Sequence, residues 1–418
     1  MDKQFLLNKS KTFCMYPWSH LMVTPEGQTF PCCVAVPGNV NHHEKNPILG
    51  NTREQSLREM FHSEEMNNLR QDILNEKENF WCTYCYEHEK YSPHSFRSSA
   101  NHHLGKFFDD VVPLTRADGS VPEFRMRYLD VRFSNVCNFK CRLCGSAYSS
   151  QWAAETRAHG HPEWQNRSVI IHADESNDLL HEVLEHVPYI ELAYFAGGEP
   201  LMNDEHYMIL EEMIRQGRNE VVSLRYNTNC SVKKYRQKDI MDLWSQFKSV
   251  EISASLDHYG ERAEYIRHGT NWGDVESNLK LFTTLPNMTL SVHSVISMLN
   301  YVTYADFLDY LTRNIINTEK FITQSHALTR TPEWFCVQNL PEHLKNQTEP
   351  VMLQFMNDCP EKFRGLYADR IPEILNFVNA QHGWDTWKEQ TLFNIHERDA
   401  IRGEDFNKVF PELESLGV

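Results

Sequence analysis

The sequence predicts an α/β fold with a parallel sheet, and two features of the chain carry that prediction. From residue 127 onward, short β-rich runs alternate with amphipathic helical patterns, a rhythm typical of βαβ units. Turns rich in glycine, cysteine and polar residues follow these runs, as expected for loops at one edge of such a sheet. The runs are compatible with a partial barrel or with an open doubly wound sheet.

Six runs of the chain have strand character, because β-branched and aromatic residues recur in them with alternation. Amphipathic helical patterns lie between the runs, for example over residues 204–216 and 274–284. The predicted strands cover residues 127–134, 190–196, 221–228, 250–256, 288–298 and 321–328.

Composition and charge argue against several classes of protein, namely nucleic-acid-binding, membrane-spanning and secreted proteins. The 418 residues carry 41 Lys+Arg against 57 Asp+Glu, a formal net charge of −16 that weighs against nucleic-acid partners. No run approaches the ~20 apolar residues of a membrane helix, and the first residues lack a signal-peptide core. We therefore expect a cytoplasmic protein, in which eleven reduced cysteines serve as metal ligands or catalytic groups.

A domain boundary is predicted at residues 118–122, where a cysteine- and histidine-rich segment ends. The three predicted domains are residues 1–120, the α/β part at 121–328, and a mostly helical extension at 329–418. We expect the extension to pack over the open side of the sheet, and its sequence indicates no chemistry. The histidine pairs His42-His43 and His102-His103 are predicted to be exposed loop residues, and Cys336 and Cys359 carry no motif.

Three cysteines crowd the loop after the first predicted strand, in the pattern Cys137-x3-Cys141-x2-Cys144. A zinc site, a redox or disulfide pair, and an iron–sulfur cluster are the alternatives. Structural zinc usually takes four ligands in two pairs, whereas this loop offers three. An iron–sulfur cluster with one open iron fits that number better, so zinc stays the second alternative.

The cysteine loop, followed by Gly197-Gly198-Glu199-Pro200 after the next strand, resembles the radical S-adenosylmethionine (radical SAM) superfamily over about residues 127–328. The resemblance implies a partial (β/α)6 TIM-like barrel. It also implies that the three thiolates hold a [4Fe–4S] cluster whose open iron chelates S-adenosylmethionine. Reduction then releases a 5′-deoxyadenosyl radical, which abstracts hydrogen from an unactivated C–H bond.

The same resemblance assigns the cofactor-binding residues, each with a plainer alternative such as a turn, a helix cap or core packing. Gly197, Gly198, Glu199 and Pro200 would receive the methionine ammonium group. Arg267 would pair with its carboxylate. Ser255 and Asp257 would face the ribose, and Val295 and Ile296 would pack against the adenine. Asn227 and Asn229 would lie near the cofactor at the rim of the third strand. Cys230 would be a hydrogen-atom donor, and its alternative role is that of a small buried apolar residue.

Four further cysteines precede the predicted boundary, Cys14, Cys32, Cys82 and Cys85. Their spacing suits a zinc ribbon. In a radical enzyme they resemble a SPASM/twitch module with an auxiliary [4Fe–4S] cluster, with a hairpin turning at residues 25–27 and capped helices within 48–74. Four ligands leave no open iron, which favours electron transfer or a structural role. Cys33 is the alternative to Cys32, which the spacing from Gly27 favours.

The resemblance therefore implies a radical SAM oxidoreductase with two [4Fe–4S] clusters, S-adenosylmethionine and a reductase, flavodoxin or ferredoxin-type electron donor. Because Cys14 lies near the first residue, we expect no leader-binding domain, which favours a small-molecule or sugar-type substrate. A peptide-modifying enzyme and a non-catalytic metal-binding module are the alternatives.

Overall fold

The structure, a computed structural model, describes residues 1–37, 47–90, 94–174, 176, 178–316 and 320–418, without the side chains of 322–324. The predicted His42-His43 pair lies outside these residues. The chain forms two compact units. Unit 1 comprises Met1–Cys137, Thr156–Tyr226 and Asp242–Val250, and unit 2 comprises Asn138–Glu155, Asn227–Met241 and Glu251–Val418. The predicted division at 120 and 328 stays a prediction.

Unit 1 contains a mixed sheet in the order β6-β5-β4-β1-β2-β3. Strands β4, β5 and β6 pair in parallel, as expected for βαβ connections. Strand β1 also pairs in parallel with β4, while β1, β2 and β3 pair antiparallel. The strands are β1 (His20–Val23), β2 (Gln28–Phe30), β3 (Gly50–Asn51), β4 (Tyr128–Val131), β5 (Leu192–Phe195) and β6 (Ser223–Thr228), whose last two residues belong to unit 2.

The predicted hairpin is confirmed between β1 and β2. Gly27 takes φ +81°, a left-handed conformation that glycine adopts without strain, and the Thr24 N–H donates to the Gln28 carbonyl at 2.9 Å. The predicted capped helices follow: Ser56 forms a capping box with Glu59, and Ser63 accepts a hydrogen bond from the Met66 N–H.

The helices of unit 1 lie before, between and after these strands along the chain. They are α1 (Lys3–Asn8), α2 (Leu57–Phe61), α3 (Glu64–Leu74), α4 (Thr83–His88), α5 (Phe96–Leu104), α6 (Phe108–Val111), α8 (Asp178–His186) and α9 (Asp204–Arg215). The pair His102-His103 is exposed as predicted, but it lies on α5 and not in a loop.

Unit 2 contains the remaining strands of the alternating region, and β10 pairs in parallel with β11. Short strands β7 and β8 form a separate ribbon. Elements α7, α10 and β9 also contribute residues to unit 1. The strands are β7 (Lys234–Tyr235), β8 (Lys238–Asp239), β9 (Ser249–Ser255), β10 (Met288–Ile296) and β11 (Phe321–Leu328), and the helices before and between them are α7 (Ser150–Ala158), α10 (Ile240–Trp244), α11 (Gly260–Ile266), α12 (Trp272–Phe282) and α13 (Tyr304–Asn314).

The C-terminal stretch is helical, as predicted, and belongs to unit 2. It contains α14 (Glu342–Asp358), α15 (Glu361–Ala368), α16 (Arg370–Asn379), α17 (Trp384–Arg402) and α18 (Phe406–Val409). The fold is thus mixed α/β with a parallel sheet and a helical C-terminal region. No helix in the described ranges has the length and apolar character that a membrane crossing requires.

Candidate functional site

The cysteine loop runs from the end of β4 into the following segment. Cys137 is half-buried and belongs to unit 1, whereas half-buried Cys141 and exposed Cys144 belong to unit 2. None of the cysteines in the described part of the chain forms a disulfide. The disulfide alternative for this loop therefore has no support in the structure.

In unit 2, the loop is held beside the segment that carries Arg267. The Lys140 N–H donates to the His268 carbonyl at 2.9 Å, and the Arg142 N–H donates to the Ile266 carbonyl at 2.8 Å. These two bonds bracket Cys141 on one segment and Arg267 on the other. As a result, Nη1 of Arg267 lies 4.0 Å from Sγ of Cys141.

Arg267 forms an ion pair with Asp257, with 2.7 Å between Nε and Oδ2. Asp257 is buried, and its Oδ1 accepts a hydrogen bond from the Val295 N–H at 2.7 Å. Although burial disfavours the charge of Arg267, the Asp257 carboxylate raises the pKa of the guanidinium. Nε of Arg267 faces the Asp257 carboxylate, and because a guanidinium has five N–H donors in a fixed fork, its terminal nitrogens keep donor capacity for a further acceptor such as a carboxylate.

The environment of the Cys141 thiol opposes its ionisation unless a cation is near. Burial raises its pKa to about 12, although Arg267 lowers it. A thiol that coordinates a metal is deprotonated, because the cation compensates the negative charge. A buried thiol beside a guanidinium therefore suits an iron–sulfur ligand.

In unit 1, the glycines of the Gly197–Pro200 turn permit a close approach to the residues before Cys137. A Cβ on Gly198 would lie 2.2 Å from the Val136 carbonyl oxygen, and Gly197 takes φ +122°. The Glu199 N–H donates to the same Val136 carbonyl at 2.7 Å. Glu199 is buried, and its carboxylate accepts from the Leu201 N–H at 3.2 Å, which caps the turn that begins at Pro200.

The residues after β6 pack against the cysteine loop within unit 2. The Asn229 side chain donates to Oδ1 of Asn138 at 3.0 Å, and Asn138 in turn donates to the Ser231 hydroxyl at 2.9 Å. Cys230 is fully buried at φ +59°, and its thiol contacts the Thr228 carbonyl at 3.7 Å. These contacts match the structural alternative for Cys230, and its hydrogen-donor role stays a prediction. The other predicted rim residues are half-buried Asn227, Ser255 and Val295 and buried Ile296.

The four N-terminal cysteines lie within electrostatic reach of one another in unit 1. Burial raises the pKa of Cys32, and the thiolates of Cys85, Cys14 and Cys82, together with neighbouring Cys33, raise it further. Burial likewise raises the pKa of Cys82 to about 12, with Cys85 as the next cause. Cys14 and Cys85 are buried and Cys32 and Cys82 half-buried, and such thiols within electrostatic reach of one another disfavour ionisation unless a cationic group lies among them.

Two residues of α5 hold this cysteine group, and the sequence patterns did not indicate either of them. Arg97 donates to both carboxylate oxygens of Glu89, at 3.0 and 2.6 Å, and to the Phe13 carbonyl at 2.9 Å. Asn101 accepts from the Met15 N–H at 3.0 Å. Both neighbours of Cys14 are therefore fixed, Met15 by Asn101 and Phe13 by Arg97, which links Phe13 to Glu89 at the end of the helix that carries Cys85.

In the described ranges, no three His, Cys, Asp or Glu side chains converge closely enough to hold a single metal ion.

Comparisons with known protein families give two matches. Residues 14–86 match the model of the SPASM iron–sulfur cluster-binding domain, and this range begins at Cys14 and includes Cys85. Residues 131–313 match the model of the radical SAM superfamily, a range that includes the cysteine loop, Gly197–Pro200 and Arg267. No curated protein matches the chain.

Several solved structures resemble the chain at low similarity. Native anSMEcpe with bound AdoMet and Kp18Cys peptide is 17% identical, with a TM-score of 0.38 over 55% of this chain and 60% of that one. SuiB of Streptococcus suis bound to S-adenosylmethionine is 12% identical, with a TM-score of 0.36 over 70% of this chain and 63% of that one. The chain thus spans less than two thirds of the length of these structures.

The two domain matches agree with the cysteine patterns and with the geometry at Cys141 and Arg267. Together they imply [4Fe–4S] clusters and S-adenosylmethionine as cofactors. The chain therefore contains a radical SAM domain at residues 131–313, and a SPASM domain at residues 14–86 precedes it.

Proposed function

We propose that the protein is a radical SAM oxidoreductase that acts on an unactivated C–H bond. The observation that supports this most directly is the placement of Arg267 against Cys141, with Asp257 behind the guanidinium. When bound, the cluster and S-adenosylmethionine supply a one-electron cleavage that gives a 5′-deoxyadenosyl radical for hydrogen abstraction.

The residues of the chain would bind and orient these groups. Cys137, Cys141 and Cys144 would hold the cluster, and Arg267 would pair with the methionine carboxylate through guanidinium donors other than Nε, which faces Asp257. Asp257 would fix the guanidinium, since its second oxygen is held by the Val295 N–H. Gly197–Pro200 would bind the methionine ammonium group.

The SPASM domain would hold an auxiliary [4Fe–4S] cluster on Cys14, Cys32, Cys82 and Cys85. The electrostatic contacts support the choice of Cys32: after burial and neighbouring Cys33, the cysteines Cys85, Cys14 and Cys82 all raise its pKa, whereas Cys85 is the one of those three that affects the pKa of Cys33. Four ligands would leave no open iron, so we propose electron transfer or a structural role for this cluster, with a flavodoxin- or ferredoxin-type donor for the enzyme.

The proposal extends to the substrate and the location. We propose that the enzyme acts on a small-molecule or sugar-type substrate and that it is located in the cytoplasm. Peptide modification is the alternative substrate class. Incubation with deuterated candidates from each class, followed by mass spectrometry of 5′-deoxyadenosine, separates them, because deuterium appears in the product only when the substrate donates the hydrogen.

Anaerobic reconstitution tests the enzymatic proposal. We expect about eight irons per chain in the wild type and about four when Cys137, Cys141 and Cys144 are all replaced by Ala. 5′-Deoxyadenosine should form under strong reductant in the wild type and not in the triple variant. A wild type that binds iron but cleaves no S-adenosylmethionine would support the non-catalytic alternative instead.

A further inference from the structure

The end of α17 contacts both segments that carry the proposed cofactor ligands. Glu404 lies just after that helix, and its Oε2 accepts a hydrogen bond from Nη2 of Arg142 at 2.5 Å. Its Oε1 accepts from Nδ1 of His268 at 2.6 Å. Arg142 is the neighbour of Cys141, and His268 is the neighbour of Arg267, so one carboxylate spans both segments.

Asp399 makes a second bridge of the same kind. Its Oδ1 accepts from Nη2 of Arg142 at 2.5 Å and from the Tyr265 hydroxyl at 2.7 Å. The Arg142 guanidinium lies 3.7 Å from the centre of the Tyr265 ring, and only 1% of its side chain is exposed. We call Asp399 and Glu404 the C-terminal clamp.

The local fold explains how both carboxylates reach one guanidinium. Gly403 ends α17 at φ +66°, and the Glu404 N–H donates back to the Asp399 carbonyl at 3.1 Å. This turn places Glu404 beside Asp399. Glu155 fixes the same helix end, because it accepts from Arg402 Nη2 at 2.9 Å and pairs with Lys140 of the cysteine loop.

We propose that Glu404 and Asp399 are positioning residues for S-adenosylmethionine binding, because they set where Arg267 stands relative to Cys141. The proposal rests on the proposed function of Arg267. The backbone bonds at residues 140 and 142 align the two segments, and the clamp fixes that alignment through the side chains of Arg142 and His268. Charge-assisted hydrogen bonds of this length are strong, and a buried partner left unpaired is costly.

The variant Glu404→Gln tests the proposal, and the chain offers a matched control. Glu412 lies in the same C-terminal segment, is 22% exposed against 16% for Glu404, and pairs with Arg262 at 2.8 Å. Full-length, reconstituted proteins are compared by iron content, equilibrium binding of S-adenosylmethionine, and the electron paramagnetic resonance change that S-adenosylmethionine causes in the reduced protein. We expect Glu404→Gln to retain about eight irons, to bind S-adenosylmethionine roughly 10-fold more weakly and to give an altered spectral change. Glu412→Gln should match the wild type.

A double variant shows whether Glu404 acts through Arg267. In an Arg267→Lys background, Glu404→Gln should add little further loss, because coupled residues are non-additive. Independent, additive losses would overturn the proposal, as would binding equal to that of Glu412→Gln. Loss of iron in Glu404→Gln and in a second variant, Asp399→Asn, would also overturn it, because the clamp would then build the cluster site itself. If Arg267→Lys alone leaves binding unchanged, the proposed role of Arg267 fails, an outcome that the single variants distinguish.

Discussion

Gly198→Ala provides a direct test of how the Gly197–Pro200 turn supports the cysteine loop. The added Cβ would lie 2.2 Å from the Val136 oxygen and 2.8 Å from the Asn135 carbonyl carbon, both backbone atoms. Ordinary contact needs about 3.5 Å, so the two segments must separate by more than about 1 Å. The Glu199–Val136 hydrogen bond, 2.7 Å long, would then be lost or stretched.

The magnitude follows from two effects. Overpacking against backbone costs roughly 1–3 kcal/mol, and the lost hydrogen bond adds about 1 kcal/mol. We therefore expect a destabilisation of about 2–4 kcal/mol, seen as a lower urea midpoint. Because Val136 precedes Cys137, the displacement should also lower reconstituted iron from about eight to about four per chain.

Gly145→Ala is the matched control, since Gly145 follows Cys144 in the same loop and a Cβ there would meet no heavy atom within 4 Å. It should keep the wild-type midpoint and iron content. A Gly198→Ala variant with unchanged midpoint and full iron content would refute the steric reasoning.

Three further predictions concern side chains. Arg97→Gln should lose the auxiliary iron, about four of about eight atoms per chain, because Arg97 joins Glu89 to the residues before Cys14; retained iron with unchanged spectra would contradict this. Arg267→Lys should weaken S-adenosylmethionine binding roughly 10- to 100-fold in equilibrium titrations, since lysine lacks the guanidinium fork; equal affinity would contradict it. Burial opposes the charge of Glu155, but hydrogen bonds from Arg402 and Lys140 lower its pKa to about 2. Its contribution, about 3 kcal/mol, is present above pH ~4.3 and is lost as pH falls toward 2, so the urea midpoint of Glu155→Gln should show less acid dependence than the wild type; equal slopes would contradict it.

Local pattern was sufficient to predict most strands. The run at 321–328 coincides with β11, and the predicted helix at 274–284 corresponds to α12, which begins two residues earlier because Asn271 caps it. The run at 288–298 was predicted two residues too long. Strand β10 ends at Ile296, where the Asn300 side chain accepts from the Ser297 N–H and forms a turn.

The long-range pairing could not be predicted in this way. Strand β1 joins β4 in parallel, with His20 opposite Tyr128, although the two residues are 108 positions apart. Alternation indicates that a segment is a strand, but not which strand is its neighbour.

In the candidate site, too, some residues could be predicted from local sequence patterns and others could not. Cysteine spacing marks the proposed ligands, because thiols at fixed intervals are rare and specific. Arg97 and Glu404 carry no such mark, since a single charged residue in a helical stretch has the same pattern as a solvated surface charge. The role of Gly197 and Gly198 toward the methionine ammonium group stays a prediction, and the structure adds that the Val136 backbone lies close to Gly198.

The pairing of β1 with β4 limits how freely the SPASM domain can be moved between proteins. A cut at the predicted boundary would leave β4 without its neighbour and the hairpin without its parallel partner. An open strand edge is a template for pairing with other chains, so the isolated radical SAM domain should tend to aggregate. The two domains are consecutive modules in the sequence, but they share one sheet and must be transplanted together.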